Sequence, residues 1–235
     1  MKKTVNCPPK LQLFIEELQK NFGKFIVLRG YENLPKGFSN DIDIYVQRGD
    51  LGRLFKCIKS IEIVQSKISI LISRLGLIKC ELDLEGEIIP FDIMYGFFYG
   101  GLGYQNCNDL FDQADLHHSE LFYIPSISDE IRVSILKELL HNKRVRSDKA
   151  DYLLQKMNHC LDSLPNEFFD LETLLCVQDS IVKGNLHLPR LSNQIRLKLL
   201  YCNLSEDLFK TLKNVFLFFA IKYLWKNRYH QKIIA

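Results

Sequence analysis

The sequence predicts an α+β fold, a mixed β-sheet flanked by helices, followed by an all-helical C-terminal domain. Three observations predict it. Two short runs of β-formers, FIVL (25–28) and IDIYV (42–46), follow a helical stretch. Strand-like texture then dominates from Ile61 to Tyr95, and beyond Pro125 the apolar residues recur at helical spacing. The expected organisation is therefore an α+β domain over 1–125 and a helical domain over 126–235. With 47 % hydrophobic residues in 235, the chain has enough apolar mass for a well-buried core.

The first helix follows Pro8 and Pro9, with Leu11, Phe14, Ile15, Leu18 and Phe22 on one face and Gly23 closing it. Phe25 to Leu28 read as a short buried strand, Arg29-Gly30 open a loop, and Ile42 to Val46 read as a second strand. Leu51, Leu54, Phe55 and Ile58 are spaced for a helix. In the β-rich run, Glu85-Gly86 between LIKCELDL and EIIPFDIMY has the character of a hairpin turn. The glycine-rich stretch over 96–105 reads as a loop, and 108–126 as mixed turn and short strand. In the C-terminal half, Ile131, Ile135, Leu136, Leu139 and Leu140 share a helix face, ahead of the basic cluster Lys143, Arg144 and Arg146. Further helices are predicted over about 149–163, 167–182 and 191–201. A last one is predicted from Ser205 as N-cap, with Glu206 and Asp207 at its positive end.

Composition narrows the function. A net charge of +3 and a pI near 8.4 are too mild to argue for general nucleic-acid binding. Seven cysteines, odd in number and without a CxxC pair, read as reduced thiols. Glu16 and Glu17 interrupt the first apolar run, so no signal peptide is expected and a cytoplasmic location is. From Lys210 onward there are six Lys or Arg residues and no acid. The apolar run from Val215 to Trp225 is too short to span a bilayer. A terminal helix packed on the helical domain is the expectation, with peripheral membrane contact as its alternative. His117-His118 carry no metal expectation, because neighbouring histidines on an extended segment point to opposite faces.

The chemistry lies in NDIDIYV. Asp41 and Asp43 project from the same strand face, where two like charges repel unless neutralised. A hard divalent cation, Mg²⁺ or Mn²⁺, suits carboxylate oxygens. An edge strand with its acids in water is the alternative. Asp92, an acid inside the apolar EIIPFDIMY, is the expected third carboxylate. Asp83 in CELDLEGE is its competitor, in a less continuously apolar setting. Gly30, with no side chain, allows a loop backbone to approach a phosphate closely.

An apolar strand, a Gly, a loop, an acidic pair on the next strand and a later single Asp together resemble the DNA polymerase β-type nucleotidyltransferase superfamily. LRGYENLPKGFSNDIDIYV and SILKELLHNKRVR are most similar to members from bacterial surface-polysaccharide clusters. The resemblance covers roughly residues 20–150. It implies a nucleotidyltransferase-like sheet in which Asp41, Asp43 and Asp92 hold the metals and Asp92 helps activate the attacking hydroxyl. It implies a phosphate contact from Gly30; Ser39 in the same loop is a further phosphate-binding candidate, and Lys143 and Arg144 read first as solvated cations after a helix C-terminus, with phosphate binding as the secondary reading. The family pattern has Gly-Ser or Gly-Gly after the first strand, whereas this chain has Arg29-Gly30-Tyr31. Arg29 either replaces the missing hydroxyl with a charge-assisted phosphate contact or pairs with a nearby carboxylate.

The implied reaction is transfer of a nucleoside monophosphate from a nucleoside triphosphate to an acceptor hydroxyl or phosphate. That acceptor is a small molecule, a glycan precursor, a protein or tRNA. A non-catalytic nucleotide-binding or partner-binding module with the same fold is the alternative. A DxD glycosyltransferase ranks lower, because its DxD follows a longer nucleotide-binding half.

Overall fold

A computed structural model describes residues 5–6, 9–34, 37–38, 41–105, 107–166, 168, 170–227 and 233–234. The chain divides into two compact units. One comprises Met1–Phe97, Cys107–Pro125 and Phe218–Ala235, the other Phe98–Asn106 and Ser126–Leu217.

The first unit begins with β1 (Val5–Asn6), α1 (Pro9–Phe22), β2 (Ile26–Arg29), β3 (Gly37–Phe38) and β4 (Ile42–Tyr45). It continues through α2 (Leu51–Ser60), β5 (Val64–Arg74), β6 (Leu77–Leu84) and β7 (Glu87–Met94). The chain then forms β8 (Phe98–Tyr99) and β9 (Leu102–Gly103) of the second unit. It returns to the first for α3 (Cys107–Asp112), β10 (Asp115–Leu116) and β11 (Tyr123–Ile124). The second unit resumes with α4 (Ile127–Lys137), α5 (Ser147–Cys160), α6 (Leu171–Val182) and α7 (Pro189–Glu206). Helix α8 (Leu208–Asn227) follows, its residues up to Leu217 in the second unit and those from Phe218 in the first, and β12 (Ile233–Ile234) belongs to the first unit.

The main sheet of the first unit is mixed, in the order β10-β11-β2-β4-β7-β6-β5-β12. Pairs β11/β2 and β4/β7 are parallel and the rest antiparallel. Alternation sorts its side chains. Ile42, Ile44, Phe91, Ile93 and Leu82 join one buried cluster with Leu11, Phe14 and Leu18 of α1 and with Leu54 and Ile58 of α2. Phe14 meets Phe91 edge to face, with ring centroids 5.8 Å apart. Each such buried side chain contributes about 1.5–3 kcal/mol of hydrophobic transfer energy, which fixes this face inward. The alternate residues Asp43 and Asp92 therefore occupy the opposite face.

Glu85 (φ 51°) and Gly86 (φ 93°) form the predicted two-residue turn, and Leu84 pairs with Glu87 across it. In the second unit, Ile131, Ile135, Leu139, Leu153, Met157, Leu174, Ile195 and Leu199 are buried. Ser126 caps α4, and a single wide helical turn over Glu138–Asn142 extends that helix to Lys143.

Three local expectations differ from the structure. The 96–105 segment is not wholly loop, because β8 and β9 pair across Gly100-Gly101. Ser205 does not start the last helix: its hydroxyl donates to the Cys202 carbonyl inside α7. Asp207 leaves helical geometry (φ −157°, ψ 99°) and caps α8, accepting the Lys210 N–H at 2.8 Å. His117 and His118 do not diverge. They lie in a turn closed by Glu120 N–H to the His117 carbonyl, and their ring centroids are 3.8 Å apart. Cys57, Cys80, Cys160 and Cys176 are free thiols. Among the described residues no helix is long and apolar enough to cross a membrane.

Candidate metal centre

Strand register brings the acids together. Asp43 of β4 and Asp92 of β7 are direct partners in the parallel pair, so their side chains stand next to each other on the face away from α1 and α2. Asp41, two residues before Asp43 and just ahead of β4, adds the third carboxylate. One oxygen from each of Asp41, Asp43 and Asp92 lies within 4.8 Å of the other two. Asp43 is 3 % exposed and Asp92 5 %, too buried for the edge-strand alternative of acids in water. Uncompensated carboxylates at that depth would cost several kcal/mol each.

Two cations compensate them. Arg29, at the end of β2, pairs in register with Asp43 and donates its Nε–H to Asp43 Oδ2, with Nη2 4.0 Å from Asp41 Oδ2. Regular alternation would put Arg29 on the core face with Val27. A β-bulge between Val27 and Arg29 shifts the register by one and turns the guanidinium to the acids. On the other flank, Lys79 of β6 is the in-register partner of Asp92, and its ammonium donates to Asp92 Oδ2. The result is a row across four strands: Arg29, Asp43, Asp92, Lys79. Burial pulls the Arg29 pKa down, but Asp43, Asp41 and Asp92 outweigh it and hold it above its ordinary value. Asp92 is raised, by burial first and by Asp43 and Asp41, against the lowering effect of Lys79.

Gly30 follows Arg29 with φ 69° and ψ 17° and precedes a short 3-10 turn over Tyr31–Asn33. A Cβ built there meets nothing within 4 Å, so the glycine answers a backbone conformation and not a steric cradle. Ser39 lies outside the described residues. Lys143 and Arg144 belong to the second unit, where they are exposed. There the Lys143 carbonyl accepts the Leu188 N–H at 2.9 Å, and Arg144 pairs with His187 in a β-bridge. The competitor Asp83 is on β6, where it accepts the Gly86 N–H at 2.6 Å and closes the hairpin.

The chain matches no family model, no curated protein and no solved structure. The site's chemistry therefore rests on its own residues.

Those residues fit a hard divalent cation. Three convergent carboxylates offer oxygen donors only, the set that Mg²⁺ or Mn²⁺ prefers. Lys79 is the partner of the acidic cluster that motif reading missed, although its signal was in the sequence. A two-residue turn at Glu85-Gly86 pairs Leu84 with Glu87, and counting back five residues on each strand pairs Lys79 with Asp92.

Proposed function

We propose that this protein is a Mg²⁺- or Mn²⁺-dependent nucleotidyltransferase. An acceptor hydroxyl or phosphate attacks the α-phosphorus of a nucleoside triphosphate, the new P–O bond forms, and pyrophosphate leaves. The single observation that carries this reading is the three-carboxylate cluster on adjacent β4 and β7, with its oxygens within 4.8 Å. When bound, the divalent ion supplies charge neutralisation at the phosphate oxygens. Asp41 and Asp43 would hold it. Asp92, whose proton affinity burial raises, accepts the acceptor's proton at a carboxylate oxygen. Arg29 and Lys79 exchange their carboxylates for phosphate oxygens as the triphosphate enters. The intracellular triphosphate pool implies a cytoplasmic reaction, and a glycan precursor of a surface polysaccharide is the acceptor class we favour.

The test is incubation with each of the four triphosphates and Mg²⁺ or Mn²⁺, with pyrophosphate as the readout and cell-extract acceptors added or omitted. Asp43→Asn and Asp92→Asn should each lower the rate by roughly a hundredfold or more, as loss of a charge-positioning group does. Unchanged rates in both variants would sink the reading.

One observation favours a second reading, a nucleotide-binding module without turnover. Arg29 and Lys79 already neutralise Asp43 and Asp92. Triphosphate binding by calorimetry with no pyrophosphate released to any acceptor would select it.

A further inference from the structure

The sequence left α8 between two roles, and its exposed side decides which chemistry it carries. Phe209, Leu212, Phe216, Phe219 and Tyr223 follow one another at intervals of three and four residues, so they form one stripe along the helix. The stripe is about 21 Å long at 1.5 Å per residue. Each of its five side chains is between 55 % and 83 % exposed. Thr211, more than a quarter of a turn from the middle of the stripe, is buried, and Asn214, Phe218 and Ile221, farther round, are partly buried. Among the described residues of α8, the apolar stripe is the side left exposed. Contiguous apolar surface of this kind marks a site of association.

The charges choose the partner. From Leu208 to Asn227 the helix carries Lys210, Lys213, Lys222 and Lys226 and no Asp or Glu. At 100° per residue, Lys213 and Lys222 flank the stripe on opposite sides, and both are exposed. The Lys222 ammonium lies 5.9 Å from the centroid of the Phe218 ring. The three-and-four spacing would suit a second copy of the same helix. Two copies of this one, however, would set lysine against lysine with no acid to pair them. The stripe also presents a single side-chain hydrogen-bonding group, the Tyr223 hydroxyl, so it offers little that a matched polar rim could read.

We propose that the outward face of α8 docks on an anionic lipid surface. Phe209, Phe216, Phe219 and Leu212 enter the headgroup–acyl boundary, Tyr223 sits at the headgroup level, and Lys213 and Lys222 extend their ammonium groups to lipid phosphates. The helix lies on the bilayer and does not cross it. The docking is independent of the nucleotidyltransferase reading, because none of these residues belongs to the carboxylate row.

The test is co-sedimentation of the full chain with vesicles of neutral phosphatidylcholine, or of phosphatidylcholine containing about 30 mol % phosphatidylglycerol, at about 0.1 M salt. Light scattering and far-UV circular dichroism are recorded alongside. The wild type should partition onto the anionic vesicles at least tenfold more strongly than onto the neutral ones. Phe216→Glu with Phe219→Glu should lose at least tenfold of that binding. Lys210→Gln with Lys213→Gln and Lys222→Gln, which leaves every apolar contact in place, should lose most of the anionic preference and so tests the idea even if the phenylalanine variant misfolds. No binding to either vesicle, or equal binding by the wild type and the lysine variant, overturns the proposal. A vesicle-free dimer that Phe216→Glu converts to monomer, without anionic-vesicle binding by the wild type, assigns the face to a second copy and overturns it as well.

Discussion

Lys79 and Asp92 face each other across β6 and β7, and with Arg29 and Asp43 they make the charge of the acidic cluster largely self-contained. Burial raises the Asp92 pKa, Lys79 opposes that, and Asp43 and Asp41 add to it. A carboxylate raised in the folded state holds its proton more tightly there than in the unfolded chain. Its charged form therefore costs stability as pH rises from the unfolded carboxylate value through the folded one, and the full cost persists above. Lys79→Met removes the opposing cation and should push Asp92 higher still. Breaking a fully buried pair costs about 3–5 kcal/mol, but Lys79 is one-third exposed, so roughly 1–2 kcal/mol is expected at neutral pH. Urea unfolding should show that deficit shrinking as the pH falls through the raised Asp92 value toward the ordinary carboxylate range. A pH-independent deficit would mean that lost packing, and not the Asp92 charge, is responsible.

At the scale of elements, one bulge and two glycines do different work. The bulge in β2 takes Arg29 off the core face, a change that alternation alone could not announce because Val27, two residues earlier, points to the core. Gly30 (φ 69°) has open space where a methyl group would sit, so only the left-handed backbone resists a side chain. Gly101 (φ 93°) has in addition the Val215 backbone in the way, with Cα 2.5 Å and N 2.8 Å from where a Cβ would sit. Gly30→Ala should therefore cost about 1 kcal/mol of backbone strain. Gly101→Ala should cost roughly 3 kcal/mol or more, since strain and overpacking against unyielding backbone add. Chemical denaturation of the two variants side by side checks the order, and equal losses would show that the β8–β9 turn yields where its geometry says it does not.

For the molecule as a whole, a ligand that binds only the folded chain must stabilise it. Mn²⁺ at a hundred times its dissociation constant should add about 2.7 kcal/mol, reversed by EDTA and absent in Asp43→Asn. A thermal unfolding midpoint indifferent to Mn²⁺ would remove the metal from the site. The division of labour between sequence and tertiary structure follows from the range of the forces involved. Local periodicity and turn chemistry were enough to determine α1, α2, the β6–β7 hairpin and the shared face of Asp41 and Asp43, because each depends on neighbours within one turn or one pleat. The hairpin even carried the Lys79–Asp92 register, which follows once its two strands are aligned on the turn. Asp92 is singled out over Asp83 only by its more continuously apolar setting, because the hairpin register puts both on one face. That choice belongs to the parallel pairing of β4 with β7, made between residues about fifty positions apart, where side-chain alternation sets the face but not the partner. NDIDIYV by itself determined two carboxylates on one side of a strand. Only the packing of one sheet face against α1 and α2 decided that the other face would gather the third, together with the arginine and lysine that neutralise them.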